Sequence, residues 1–302
     1  MLTQRISARG AACVVALAVA LTLAPSPLVL AGSADQTAQP RLKVFVSVDM
    51  EGLSGVAAAA DVNPTGRDYE HFRTIMAAET NTAIAGAVRA GATMVVVRDS
   101  HGGKMNLRPG DLTSPRARLI RGASTGPKNM MEGIDETFAA VVFIGYHAKA
   151  GTPNAVLAHT SNGNVIDFSI NGVSLPEAGY NALVAGLYKV PVVFAAGDFA
   201  FVQQARGLLG DIEVLSTKGD IGGAIQGLVP ASSEQLIVTG VARAVTNRAR
   251  MKPFTLTPPY TMVLKVKTEK PLYPGATRTA PGEATLSHND LLEILNAFNA
   301  MK

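Results

Sequence analysis

Val44-Phe-Val-Ser-Val-Asp-Met-Glu-Gly52 is an apolar run that gives way to two carboxylates and a glycine. It predicts a buried β-strand over Leu42–Val48 whose C-terminal end carries Asp49 and Glu51. Side chains at i and i+2 on an extended chain point to one face, so both carboxylates aim together. Paired hard oxygen donors at the carboxyl end of a strand suit a metal ion, because ligands in open α/β sheets gather beyond that edge. The pattern recurs twice. Asp99-Ser-His101 follows the apolar run Met94–Val97, and Gly145-Tyr-His147 follows Val141–Ile144.

Outward from these strands, β-like and helix-like segments alternate, which argues an α/β fold with a mainly parallel sheet and helices on both faces. A helix is expected over Asp68–Ala90, where Phe72, Ile75, Met76, Ala83, Ile84, Ala87 and Val88 recur at helical spacing before Gly91. A hairpin region is expected over Val156–Val173, a helix over Pro176–Tyr188 and a strand over Val190–Ala196. After Gly227 the texture changes to a helix near Ser232–Arg250, a strand Tyr260–Val266, a Pro/Gly-rich link and a last helix Asp290–Met301. We read residues 42–226 as an α/β metal-binding catalytic domain and 227–302 as a smaller α+β unit.

The first residues read as an export leader. Arg5 and Arg9 precede the apolar stretch Ala11–Leu23, and Val29-Leu-Ala31 offers small residues for cleavage. Residues 1–31 are expected to be a signal peptide and 32–41 a linker, giving a soluble periplasmic or secreted protein. The leader holds two arginines and no acids, so the formal charge of +4 falls to +2 without it. With no basic tract and no tryptophan, nucleic acid and membrane surfaces are not expected partners. The only cysteine, Cys13, lies in the leader, so any metal must be held by His and carboxylate.

Five histidines remain to be sorted: His71, His101, His147, His159 and His288. His101 and His147 share the topological edge of Asp49 and Glu51 and are metal-ligand candidates. His159 ends a third short apolar segment, Ala155–Ala158. His71, between Glu70 and Phe72, fits a solvated helix face, and His288 fits a helix start. Ser174-Leu-Pro-Glu177 reads as a capping box, although a carboxylate in that first turn could equally complete a metal site. There is no Gly-x-x-x-x-Gly-Lys-Ser/Thr loop and no Gly-x-Ser-x-Gly elbow. Gly102-Gly-Lys104 is too short for a phosphate cradle.

Ser47-Val-Asp-Met-Glu-Gly52, Asp99-Ser-His101, Gly145-Tyr-His-Ala148, Ala158-His-Thr-Ser161, Pro176-Glu-Ala-Gly-Tyr-Asn-Ala182, Ala196-Gly-Asp198 and the late Pro274-Gly-Ala-Thr277 occur in one order along the chain. In that order and spacing the sequence resembles the zinc-dependent D-aminopeptidases of the dipeptide-transport-operon type, from about Lys43 to the last helix. The resemblance implies two zinc ions per subunit. Asp49 would bridge them, Glu51 and His147 would complete one site, and His101 and Glu177 the other. It implies a catalytic role for His159, proposed in the family as nucleophile, and a ring-shaped homo-oligomer enclosing the active sites. Two features depart from the family: members can be cytoplasmic, and arginine is frequent where this chain has Lys149.

The implied chemistry is peptide hydrolysis by a hydroxide shared between two metals, acting on small peptides with an N-terminal D-residue. Beside a metal hydroxide, His159 serves more easily as a hydrogen-bond or proton donor than as a covalent nucleophile. The alternatives are a dinuclear amidase or esterase on other small substrates, and a non-catalytic exported peptide-binding protein.

Overall fold

The computed structural model describes residues 42–302; the expected leader and linker, residues 1–41, lie outside the described residues. Among them, no helix is long and apolar enough to cross a membrane. The elements run β1 (Lys43–Val48), α1 (Ala59–Val62), α2 (Tyr69–Arg89), β2 (Met94–Asp99), β3 (Ala117–Ile120), β4 (Ala140–Tyr146), β5 (Val165–Ile170), β6 (Val173–Ser174), α3 (Glu177–Leu187), β7 (Val192–Asp198), α4 (Phe199–Leu209), β8 (Glu213–Asp220), β9 (Ile225–Gly227), α5 (Pro230–Thr246), β10 (Tyr260–Val266), β11 (Thr277–Ala280), β12 (Glu283–His288) and α6 (Leu291–Met301).

The main sheet has seven strands in the order β3-β2-β1-β4-β7-β8-β9. Every pairing is parallel except β8 with β9. This is the α/β arrangement that the alternating segments predict. Both faces of the sheet are covered, which is why β1 and β4 read as near-continuous apolar runs. Val44, Val46 and Val48 pack with Met76 and Ile84 of α2 and Ile237 and Val241 of α5. Phe45 and Phe143 pack on the opposite side with Leu183 of α3 and Phe201 of α4.

A second, antiparallel sheet has the order β11-β12-β10-β5-β6. Phe168 of β5 stacks on Phe298 of α6 at 4.0 Å, and Tyr180 of α3 lies 5.5 Å from Phe298. These rings join the second sheet to the α3 side of the first. The sheets do not follow a boundary at residue 227. β5 and β6 reach the second sheet from before it, while α5, from after it, covers β7 and β8 of the first.

The hairpin expected over Val156–Val173 is confined to Val165–Ser174. Residues 156–164 form a loop in which Leu157 and Ser161 take positive φ. His159 therefore sits on a loop and does not end a strand.

From β1 the chain steps to β2 and β3 on one side, then returns past β1 to β4 on the other. The crevice at that reversal, between the C-terminal ends of β1 and β4, is where open α/β sheets place their ligands.

Candidate metal centre

Asp49 and Glu51 leave the end of β1 in a tight turn held against β4. The Asp49 N–H donates to the Ile144 carbonyl and the Gly52 N–H to the Gly145 carbonyl, both at 2.8 Å. A Cβ on Gly52 would lie 1.9 Å from the Tyr146 carbonyl oxygen, so only glycine lets the turn approach. Gly145 has φ of +71°, and a Cβ there would lie 2.1 Å from the Asp49 carbonyl oxygen. Below the turn, the Ser47 hydroxyl meets the Ser100 and Tyr146 hydroxyls, each at 2.7 Å.

The structure brings the six residues Asp49, Glu51, His101, His147, His159 and Glu177 together. His101 Nδ1 is 3.1 Å from both Asp49 Oδ1 and Glu51 Oε2. His147 Nε2 lies 3.5 Å from Glu177 Oε1 and 3.7 Å from Asp49 Oδ2. His159 stacks on His147 with ring centroids 4.0 Å apart, and its Nε2 is 3.7 Å from Glu177 Oε1 and 4.0 Å from Glu51 Oε1. Three groups can offer converging donor atoms: Asp49, Glu51 and His101; Asp49, His147 and Glu177; and Glu51, His147 and His159.

The shortest contacts run differently from the pairing that the resemblance implies, although Glu51 and His147 also converge, together with His159. The resemblance pairs Glu51 with His147 and His101 with Glu177. In the fold, Glu51 faces His101 and Glu177 faces His147, with one oxygen of Asp49 toward each histidine. The capping box at Glu177 is also absent. Pro176 is the N-cap residue of α3, the Ser174 hydroxyl turns to Asp167 and Lys149, and Glu177 Oε1 accepts the Ser161 N–H at 2.6 Å. Glu177 is thus free of the helix end and aimed into the cluster.

Each histidine commits one ring nitrogen to a backbone carbonyl: His101 Nε2 to Val62 at 2.9 Å, His147 Nδ1 to Ala148 at 3.0 Å and His159 Nδ1 to Leu157 at 2.9 Å. A carbonyl only accepts, so these nitrogens carry the protons. In the neutral rings the opposite nitrogens therefore present lone pairs to carboxylates. Lone pairs facing carboxylates call for a cation between them, a proton or a metal ion, and second-shell carbonyls of this kind are what orient metal-binding imidazoles. His147 Nε2 is fully buried and has no hydrogen-bond partner. Nitrogen and carboxylate donors without thiolate fit zinc.

The electrostatics agree. Burial opposes ionisation of Glu51, but the charges of His101, His147 and His159 hold its carboxyl far below the usual range. Burial likewise opposes a charged Glu177, and His147 overrides it downward. Burial disfavours charged His147, yet Glu177, Glu51 and Asp49 raise it to about 10, and Glu51 and Asp49 lift His101 well above its ordinary value. The site stabilises positive charge where a metal would supply it.

Asp49, Glu51, His101, His159 and Glu177 line a cavity of about 320 Å³ together with Ser100, Lys104, Ser161 and Lys302, with His147 buried behind them. Lys104 is buried, donates to the Ser100 carbonyl at 3.1 Å and more weakly to that of Gly102, and has no carboxylate within 4.0 Å among the described residues. Sequence reading overlooked it as part of a loose Gly-Gly-Lys loop. It also assigned no role to Asp99 or Asp198. Asp99 accepts from Asn106 Nδ2 and the Leu107 N–H, each at 2.8 Å, fixing the loop that carries His101. Asp198 caps α4 and accepts the Ala148 N–H at 3.2 Å beside His147. The remaining histidines are elsewhere: His71 and His288 are exposed, and the cap of α6 is Asp290.

Comparison with known proteins agrees with this architecture. The family model described as D-aminopeptidase matches residues 42–300. A D-aminopeptidase of Bacillus subtilis (strain 168) is 40% identical over 227 residues, which are 75% of this chain and 81% of that protein. The solved structure of the zinc-dependent D-aminopeptidase DppA from Bacillus subtilis, called a self-compartmentalizing protease, superposes with a TM-score of 0.81 at 35% identity, covering 85% of this chain and 96% of that one. The chain belongs to the D-aminopeptidase family.

Proposed function

We propose that this protein is an exported, zinc-dependent aminopeptidase that hydrolyses small peptides bearing an N-terminal D-residue. The observation that carries the metal reading is the orphaned Nε2 of His147, buried and facing carboxylates. Asp49, Glu51 and His101 would hold one zinc and Asp49, His147 and Glu177 a second, with Asp49 shared. Bound zinc supplies a Lewis acid for the peptide carbonyl and a water made acidic enough to attack near neutral pH.

The chain's own residues then set the orientation. His159, about a quarter exposed, is fixed through Nδ1 to the Leu157 carbonyl, and its Nε2 edge lines the cavity. Once protonated there, it donates a hydrogen bond to the developing oxyanion or a proton to the leaving amine. The Lys104 ammonium has three donors and two carbonyl partners, which leaves one N–H for a substrate carboxylate. Preference for the D-configuration comes to this reading from the names of the relatives, as does assembly into a closed homo-oligomer. Export rests on the leader, residues 1–31.

Metal analysis of the purified protein should find two zinc ions per chain. With zinc restored, D-Ala-D-Ala should be cleaved far faster than L-Ala-L-Ala, and the reverse preference would defeat the substrate assignment. Fractionation should place a shortened chain outside the cytoplasm; full-length protein inside would remove export.

A further inference from the structure

The turn that carries Glu51 is gripped from an unexpected direction. β8 is separated from β1 by β4 and β7, yet two consecutive β8 residues reach this turn. The Thr217 hydroxyl lies 2.7 Å from the Gly52 carbonyl oxygen and 3.0 Å from that of Gly197. Lys218 Nζ donates to the Glu51 carbonyl and, at 2.7 Å, to the Leu53 carbonyl. Three successive carbonyls, of Glu51, Gly52 and Leu53, are thereby held by one dipeptide.

Adjacent strand residues ordinarily point to opposite faces. Here the β7–β8 register slips: Gly197 pairs with Ser216 and Asp198 with Lys218, which leaves Thr217 as an extra residue. A bulge of this kind re-aims side chains, and bulges concentrate next to active sites. Both side chains are fully enclosed, with Thr217 at 0% and Lys218 at 3% exposure. No carboxylate lies within 4.0 Å of the Lys218 ammonium among the described residues, so the carbonyls are its partners.

We propose that Thr217 and Lys218 form a carbonyl clamp that positions Glu51 for metal binding. The turn's N–H groups at Asp49 and Gly52 are fixed by β4, and the clamp fixes its other side, so the Glu51 side chain leaves a backbone with little freedom. The clamp rests on the reading of Glu51 as a zinc ligand. It assigns Thr217 and Lys218 a positioning role, with no contact to substrate.

The test is zinc affinity, measured by chelator competition on protein stripped of metal, alongside the melting temperature of the zinc-free form. Thr217→Val keeps shape and charge but removes the hydroxyl, and should weaken one zinc about tenfold, the lower end for lost second-shell support. Thr217→Ser should retain wild-type affinity. Lys218→Met separates two roles by sign. A lysine acting only as a nearby positive charge repels zinc, so its removal would tighten binding. A clamp predicts weaker binding of the same zinc. Wild-type affinity in Thr217→Val and Lys218→Met, even with a lowered zinc-free melting temperature, would overturn the clamp. Glu51→Gln serves as the reference. If it leaves both zinc affinities unchanged, the ligand assignment fails. If it weakens one while the clamp variants do not, only the clamp falls.

Discussion

Glu51 and Glu79 are both buried glutamates, and both are tied to the turn after β1. Glu51 belongs to the turn, while Glu79, from α2, accepts the Ser54 N–H at 3.1 Å and the Ser233 hydroxyl of α5 at 2.9 Å. They titrate in opposite directions. Burial pushes Glu79 up, with its hydrogen bonds to Ser54 and Ser233 and the charge of Lys218 only partly offsetting it. Burial pushes Glu51 up as well, and three imidazoles reverse the result. Glu79 Oε2 has no partner at all. Enclosure by itself thus makes a neutral structural peg, and a ring of basic nitrogens around the same group makes a cation site.

The comparison is broken most severely at Asp49, which faces both His101 and His147. Asp49→Ala should strip both zinc ions and lower kcat/KM at least about a thousandfold, the scale of several kcal/mol of lost charge stabilisation. Full metal content in this variant would show that the carboxylate cluster does not hold the metal.

His159 sharpens it next. His159→Ala should keep both zinc ions and lose turnover by about 10²- to 10⁴-fold, the range of a positioned acid or base. Because His159 also converges with Glu51 and His147, metal analysis decides its role. Loss of one zinc would make it a ligand.

Lys104 and Lys302 are the lysines that line the cavity opposite its carboxylates, and Lys104 is the buried one of the pair. Lys104→Met should raise KM for a free dipeptide about tenfold, the loss of one charge-assisted hydrogen bond. KM for an aminoacyl amide, which lacks the carboxylate, should barely move. Equal changes for both substrates would place Lys104 in the loop's structure only.

The part of this site carried on strand ends, Asp49, Glu51, His101 and His147, is legible in the sequence because strands β1, β2 and β4 announce themselves as apolar runs and these residues follow at once. Glu177 is not, since a first-turn carboxylate after Ser174 and Pro176 has a capping explanation that spacing cannot refute. Which histidine lies nearest to Glu51 and which to Glu177 is invisible as well. It depends on how β1, β2 and β4 lie side by side, which makes His101 and His147 flank Asp49 from opposite sides. The second sheet escapes because β5 and β10 are almost a hundred residues apart and antiparallel. Thr217 and Lys218 escape for a subtler reason: only the slipped register turns both toward one loop.

The smallest effect belongs to Glu79, and it tests the other half of the comparison. In Glu79→Gln the amide oxygen can still accept from Ser54 and Ser233, while the buried ionisable group is gone. A carboxyl whose folded pKa lies above its unfolded value favours folding in its protonated form. Its contribution is therefore best below the unfolded pKa, about 4.3, and erodes as pH rises from there toward the folded value. Glutamine does not titrate, so the variant should match or fall slightly below wild type in acid and gain on it through that window. At pH 8 the gain should be on the order of 1 kcal/mol, within the usual range of single substitutions. Zinc content should stay at the wild-type value, because Glu79 faces no imidazole of the cluster. Chemical denaturation at pH 4.5 and pH 8 reads the first expectation and metal analysis the second. A variant that loses stability relative to wild type as pH rises would mean that Glu79 is ionised and paired in the fold, and the contrast with Glu51 would collapse.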